Sequence, residues 1–90
     1  MEIPEDSELQ VYEVILKYMI LKDKKEGRPD HRVQLHPIFD NLPAYISGSG
    51  EAFNFGISWL KKMGTITVVT QGFDGCLAYI TPKGLKYFDS

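Results

Sequence analysis

The stretch from Glu51 to Phe88, EAFNFGISWLKKMGTITVVTQGFDGCLAYITPKGLKYF, decides the fold by its spacing. Phe53, Ile57 and Leu60 fall at i, i+4 and i+7, so they share one face of a helix. Gly64 follows the last residue of that pattern, where a helix ends easily because glycine adopts left-handed backbone angles without penalty. Thr65–Thr70 (TITVVT) is β-branched at every position, which favours a strand over a helix. Gln71–Gly75 (QGFDG) reads as a five-residue hairpin loop with two glycines. Cys76–Thr81 (CLAYIT) is the return strand. Thr81-Pro82 supplies an N-cap followed by proline at the first helical position, and a short closing helix is predicted to continue through Gly84 to Phe88.

A helix, a glycine, a hairpin and then a (Leu/Ile)-Thr-x-x-Gly segment, here Ile80-Thr81-Pro82-Lys83-Gly84, resemble the second half of a winged-helix (winged helix-turn-helix) domain. The resemblance covers the chain from Glu51 onward closely and the part before it in outline. It points to a superfamily of small prokaryotic or viral regulators and to no particular family within it. It implies an α+β fold: a three-helix core, a two-stranded β-hairpin wing and a short C-terminal helix. It also implies a DNA-binding protein of the transcription-regulator type.

The 90 residues are read as one domain, 1–90, with a modest core. Apolar residues make up 43% and charged residues 24%, an ordinary globular balance. No apolar run approaches the roughly 20 residues that span a bilayer. The start, MEIPEDSE, is acidic and unlike a signal peptide, and a lone cysteine forms no internal disulfide. A cytoplasmic location is the expectation. The net charge of −2 argues against a protein held mainly by phosphates. The acids are concentrated at the start, however: residues 1–13 hold five acids and no base, leaving ten bases against seven acids over residues 14–90.

Pro4 or Ser7 is expected to open the first helix, with Ser7 and Gln10 as a capping box, and the helix to run to about Lys22. It bears two apolar stripes. One is Leu9, Tyr12, Leu16, Met19 and Ile20; the other is Val11, Val14, Ile15 and Tyr18. A surface helix of a small monomer needs one stripe. Either both pack inside the domain, or the second meets its copy across a two-fold axis in a homodimer. Lys22–Arg32 (KDKKEGRPDHR) reads as a solvated loop, and Arg32–Leu35 as a short additional strand. His36–Leu42 reads as a short second helix, with Ile38, Phe39 and Leu42 inward and Pro43 ending it. Ala44–Gly50 (AYISGSG) is then a connection longer than the three or four residues typical of a helix-turn-helix. Gly48–Gly50 is read as a flexible loop with a serine cap rather than an anion cradle.

In the resemblance, Glu51–Met63 takes the place of the recognition helix, with Phe53, Gly56, Ile57 and Leu60 inward. Gly56 lets another helix approach closely. Asn54 and Ser58 carry the donor and acceptor chemistry that reads base edges, and Lys61 and Lys62 suit phosphates. Lys83 and Lys86 flank the wing. These six residues are the candidate DNA contacts. Phe55 and Trp59 fit groove reading poorly. Three readings of that ridge stay open: burial by the 44–50 loop or the first helix, a protein-binding or dimer surface, or stacking on bases and thymine methyls. The wing tip, Gly72–Gly75, carries no base and one acid, and Phe73 is expected to fold back onto its hairpin or to wedge into a partner. Phe55, Trp59 and Phe73 are thus the interaction surface of the alternative function, a winged-helix protein–protein interaction module that does not bind DNA.

His31, His36 and Cys76 are the only nitrogen and sulfur ligands, with no zinc spacing among them, so no metal and no cofactor is expected. Nothing resembles a catalytic motif, and the chain is not expected to be an enzyme. Cys76 reads as a small buried apolar residue, with a redox-sensing role as the alternative if its strand is partly exposed.

Overall fold

In the computed structural model, which describes residues 4–89, every apolar residue of the TITVVT–CLAYIT hairpin serves one sheet. Glu2 of the acidic start lies outside these residues. After a 3₁₀ turn at Asp6–Glu8 come α1 (Val11–Glu26), β1 (Arg32–Leu35), α2 (Ala44–Ser47), α3 (Gly50–Met63), β2 (Ile66–Gly72), β3 (Gly75–Ile80) and α4 (Pro82–Leu85). Four α-helices and a three-stranded antiparallel sheet make the chain α+β. The strand order is β1-β3-β2, so the last strand in sequence is central.

The first helix departs from the sequence expectation. Gln10, not Ser7, caps it, in a box with Glu13 whose carboxylate accepts from the Gln10 N–H at 2.9 Å. Asp6 is not in the helix. Its carboxylate reaches back to Lys17 Nζ at 2.6 Å and accepts from Tyr18 Oη at 2.9 Å, which folds the preceding segment against α1. The helix runs on to Glu26 and ends at Gly27.

Both stripes of α1 pack largely inside the monomer. Val14 and Ile15 of the second stripe are fully buried, as are Leu16 and Met19 of the first. Of the surface expected to meet a second copy, Val14 and Ile15 therefore belong to the core, and Val11 and Tyr18 are half-buried at its margin. The cause is α3, which presses on that side of α1. A Cβ added at Gly56 would lie 2.4 Å from Ile15 Cδ1, the far end of a flexible side chain, and 3.5 Å from Tyr12 Cα, so glycine here leaves Ile15 its place between the two helices. Phe53, Ile57 and Leu60 of α3 complete the core with Val33, Leu35, Ile46, Cys76, Ala78 and Ile80. Each such aliphatic side chain contributes roughly 1.5–3 kcal/mol by leaving water.

The second helix is also corrected. Residues 36–41 form a turn, and α2 is Ala44–Ser47 with Pro43 before it as N-cap rather than terminator. The reason lies in side chains that compete for the backbone: Asp40 Oδ2 accepts from the His36 N–H at 2.5 Å, and Asn41 takes a left-handed φ of 57°. Leu42 is buried as expected, whereas Ile38 and Phe39 are exposed. The connection between α2 and α3 shortens to Gly48-Ser49, and Ser49 Oγ accepts from the Ala52 N–H at 3.1 Å as the α3 cap.

The hairpin is tighter than QGFDG suggested. Gly72 pairs with Gly75, leaving Phe73-Asp74 as the turn. Gly75 has φ 91°, and a Cβ there would lie 2.1 Å from the Leu35 carbonyl oxygen, so glycine is required on both counts. Between Val68 and Thr70 the register shifts by one residue, leaving Val69 unpaired in β2. On β1, residues 32 and 34 are the alternate positions whose backbone groups face away from β3, and His36 follows just beyond the strand. The Arg32 N–H donates to Asp30 Oδ1 at 3.1 Å, the Gln34 carbonyl accepts from Lys22 Nζ, and the His36 N–H is taken by Asp40. Thr81 caps α4 as expected, though that helix stops at Leu85. No helix among the described residues is long and apolar enough to cross a membrane.

Candidate functional site

The outward face of α3 follows from its inward one. With Phe53, Ile57 and Leu60 fixed in the core, the 3.6-residue period turns Asn54, Phe55, Ser58, Trp59, Lys61 and Lys62 to solvent, and all six are exposed. The structure places Asn54, Ser58 and Lys62 along one line of that face, with Lys61 beside it. Gly64 closes the helix in a left-handed cap.

Among the described residues, one side-chain hydrogen bond joins the hairpin to this face. Gln71 Nε2 donates to Asn54 Oδ1 at 2.8 Å. The couple keeps the Asn54 amide N–H₂ as a free donor and the Gln71 carbonyl oxygen as a free acceptor. Gln71 was not a candidate from sequence. Residues 17 apart on different elements give no local signal, and only the packing of β2 beside α3 brings them together.

The lysines divide into two groups. Lys61, Lys62 and Lys86 are exposed, and none of them forms an ion pair with another described residue. Lys83 is committed: its Nζ donates to the Met63 carbonyl at 2.8 Å and so caps the end of α3. Beside it, the Thr81 hydroxyl donates to the Gly64 carbonyl at 2.6 Å. The α4 cap thus braces the C-terminal end of α3.

Phe55 and Trp59 form a real surface ridge, 66% and 42% exposed. Their rings stack with centroids 6.3 Å apart. Tyr12 of α1 packs on the other side of Trp59 at 5.8 Å, tilted by 47°. The 44–50 segment does not bury the ridge, because Ala44–Ser47 is spent on α2. A groove of about 510 Å³ runs along these rings, with Val11 and Ala52 on its walls and Gln10, Ser49 and Glu51 at its rim. Tyr12, placed with the core stripe from sequence, is half-buried and shared with this groove.

Phe73 at the hairpin tip is fully exposed at 103% and does not fold back. A wider groove of about 860 Å³ separates it from the 36–39 turn and reaches Phe53, Asn54 and Gln71. Cys76 lies in the central strand with 0% exposure, and burial pushes its thiol up to about 11. A thiol held protonated and out of solvent is a poor nucleophile, which removes the basis for a redox sensor at this position. Burial and its bond to Asp6 raise the Tyr18 phenol, and burial and its bond to Glu13 raise that of Tyr87. Both are structural donors. No group of three or more potential metal ligands occurs among the described residues.

Comparison with protein-family models, with curated proteins and with solved structures found no match for this chain.

Proposed function

We propose that this chain is a winged-helix domain that binds double-stranded DNA as a small transcriptional regulator. In this reading α3 enters the major groove and the β2–β3 hairpin is the wing. The element order and the β1-β3-β2 sheet suit that architecture, and so does the two-residue turn between α2 and α3. The observation that carries the reading is the exposed Asn54–Gln71 amide couple where helix and wing meet. Its free donor and acceptor match the paired acceptor and donor that adenine presents in the major groove. Ser58 adds a hydroxyl on the same face. Lys61, Lys62 and Lys86 supply phosphate contacts, while Lys83 acts indirectly by holding the end of α3. Phe73 on a wing tip without bases is suited to wedge against sugars or bases rather than to neutralise phosphate.

Fluorescence anisotropy with mixed-sequence duplex at about 50 and 200 mM salt tests this reading, because phosphate contacts release counterions and affinity must fall steeply with salt. A Lys61→Ala/Lys62→Ala variant should bind more weakly and with a slope shallower by roughly two contacts. No binding at tens of micromolar in low salt would end the proposal.

A second reading is favoured by the Tyr12–Trp59–Phe55 ridge and the net charge of −2. In it the domain docks a protein through Phe55, Trp59 and Phe73, aromatic anchors of the kind that dominate interfaces. Trp59→Ala should abolish such docking and spare salt-sensitive DNA binding.

A further inference from the structure

His36 sits where β1 gives way to the 36–41 turn, and both of its ring nitrogens are engaged. Nδ1 lies 3.2 Å from the Ile38 nitrogen and 3.4 Å from the Phe39 nitrogen, both N–H donors. Nε2 lies 3.1 Å from the Phe73 carbonyl oxygen. A carbonyl oxygen can only accept, so Nε2 carries a proton. Nδ1 faces two donors, so it carries none. The contacts therefore select the neutral ring with its single proton on Nε2. The ring also stacks on Phe39, centroids 4.4 Å apart. One side chain thus ties two separate pieces together: the turn that displays Ile38 and Phe39, and the hairpin tip that displays Phe73. A second tie, the Gln34 amide donating to the Asp74 carbonyl at 2.9 Å, does not titrate.

We propose that His36 is a pH-sensitive clasp that shapes the Ile38–Phe39–Phe73 surface and opens the 36–39 turn when its ring is protonated. A proton on Nδ1 meets the N–H groups of Ile38 and Phe39 head-on, and both hydrogen bonds are lost. The Nε2–H remains a donor to Phe73, so the turn moves and the hairpin tip stays. Of the charged groups around the ring, Asp74 on the hairpin favours this direction, and Asp40 on the turn, which opposes it, is offset by Lys22. Asp40 lies on the turn itself, with Oδ2 on the His36 N–H and Oδ1 3.0 Å from Lys22 of α1. Asp74 of the hairpin lines the same depression with Lys22, Gln34, His36 and Phe39. Two carboxylates attract an imidazolium, Lys22 offsets one of them, and two N–H groups repel it at Nδ1. Protonation re-sorts the ring's neighbours away from the turn. The consequence is a change in which apolar side chains stand together beside Asn54 and Gln71.

The test is an NMR titration of the intact chain from about pH 7.5 to 5. At the upper end the His36 ring should show the Nε2–H tautomer. As it protonates, the Ile38 and Phe39 amide resonances should move with its titration and their protection against exchange, relative to the intrinsic rate at each pH, should fall at least tenfold, while the Phe73 amide moves less. An Nδ1–H tautomer, or Ile38 and Phe39 amides indifferent to the ring, would overturn the proposal. His36→Asn places a non-titrating oxygen where Nδ1 was, so its turn should stay closed at both ends of the range. His31, the other histidine, bonds Asp23 on α1 at 2.9 Å and is the control. A pH response that survives His36→Asn and vanishes in His31→Gln would assign the switch to the wrong ring and sink the idea.

Discussion

The two edges of the sheet are protected in opposite ways. β1 is short, and side chains from outside it take two of its outward backbone groups, Asp30 the Arg32 N–H and Lys22 the Gln34 carbonyl, while Asp40 takes the His36 N–H just beyond its end. β2 is longer and β-branched, and among the described residues no side chain bonds to its backbone. Its protection is the register shift at Val69, which breaks the row of groups a foreign strand would need. The difference follows from the neighbours. β1 runs beside α1 and the 36–41 turn, which can lend charges. The far half of β2 stands clear of both, so its only available device is written into its own backbone.

The largest expected break lies at the root of the guarded edge. Gly75→Ala puts a Cβ into the Leu35 carbonyl and forces an unfavourable φ, so β1 must part from β3. A loss of about 3 kcal/mol or more in urea unfolding is expected. An unchanged midpoint would mean that β1 is held by something other than this close approach.

Removing a guard should cost less and reveal more. Asp40→Ala leaves the His36 N–H without its acceptor and Lys22 without its carboxylate, with only the Gln34 carbonyl left to it, for a loss of about 1–2 kcal/mol. Light scattering on mild warming should rise sooner than for the parent, because the β1 edge is opened. Equal scattering at equal residual stability would show that the guards serve only the turn.

Deleting Val69 should sharpen the contrast from the other side. The register becomes continuous and stability changes by about 1 kcal/mol or less. The effect should appear in sedimentation, as an increase in mass over the parent at matched concentration. A mass that does not change would mean that the shift is no barrier to pairing.

At neutral pH the smallest effect belongs to the strand between the edges. The Cys76 thiol is raised from 9.0 to about 11 by burial, so the folded state holds its proton after the unfolded state has released it. Stability should be untouched at neutral pH and decline as pH rises from about 9 to 11. Tyr18 and Tyr87, also raised, decline in the same direction, so the share due to Cys76 is the difference between the parent and Cys76→Ala. Identical alkaline profiles would show that the thiol is not shielded by the central strand.

The sequence made some of this legible and hid the rest for identifiable reasons. The inward face of α3, its glycine stop, the hairpin strands and the Thr81-Pro82 cap are local patterns, and local periodicity sufficed. The α1 start was misplaced because Ser7 and Gln10 mimic a capping box, while the true partners of Asp6 are Lys17 and Tyr18, more than ten residues away. His36–Leu42 has a helical spacing of apolar residues, yet Asp40 and Asn41 divert its backbone. Of the candidate site, the exposure of Asn54, Ser58, Lys61 and Lys62 could be read from the period of α3. The roles of Gln71, Tyr12 and Lys83 could not, because each depends on a neighbour brought in by the tertiary fold.

The central strand comes last in the chain, and this bears on how the protein is made. A ribosome releases α1, β1, α2, α3 and β2 before β3, and among the described residues β1 and β2 pair with no other strand. Until Gly75–Ile80 clears the exit tunnel, the nascent chain can assemble its helices but no sheet. The β-branched TITVVT segment therefore waits unpaired during synthesis, a brief interval in which it is open to another chain, because the shift at Val69 arises only against β3.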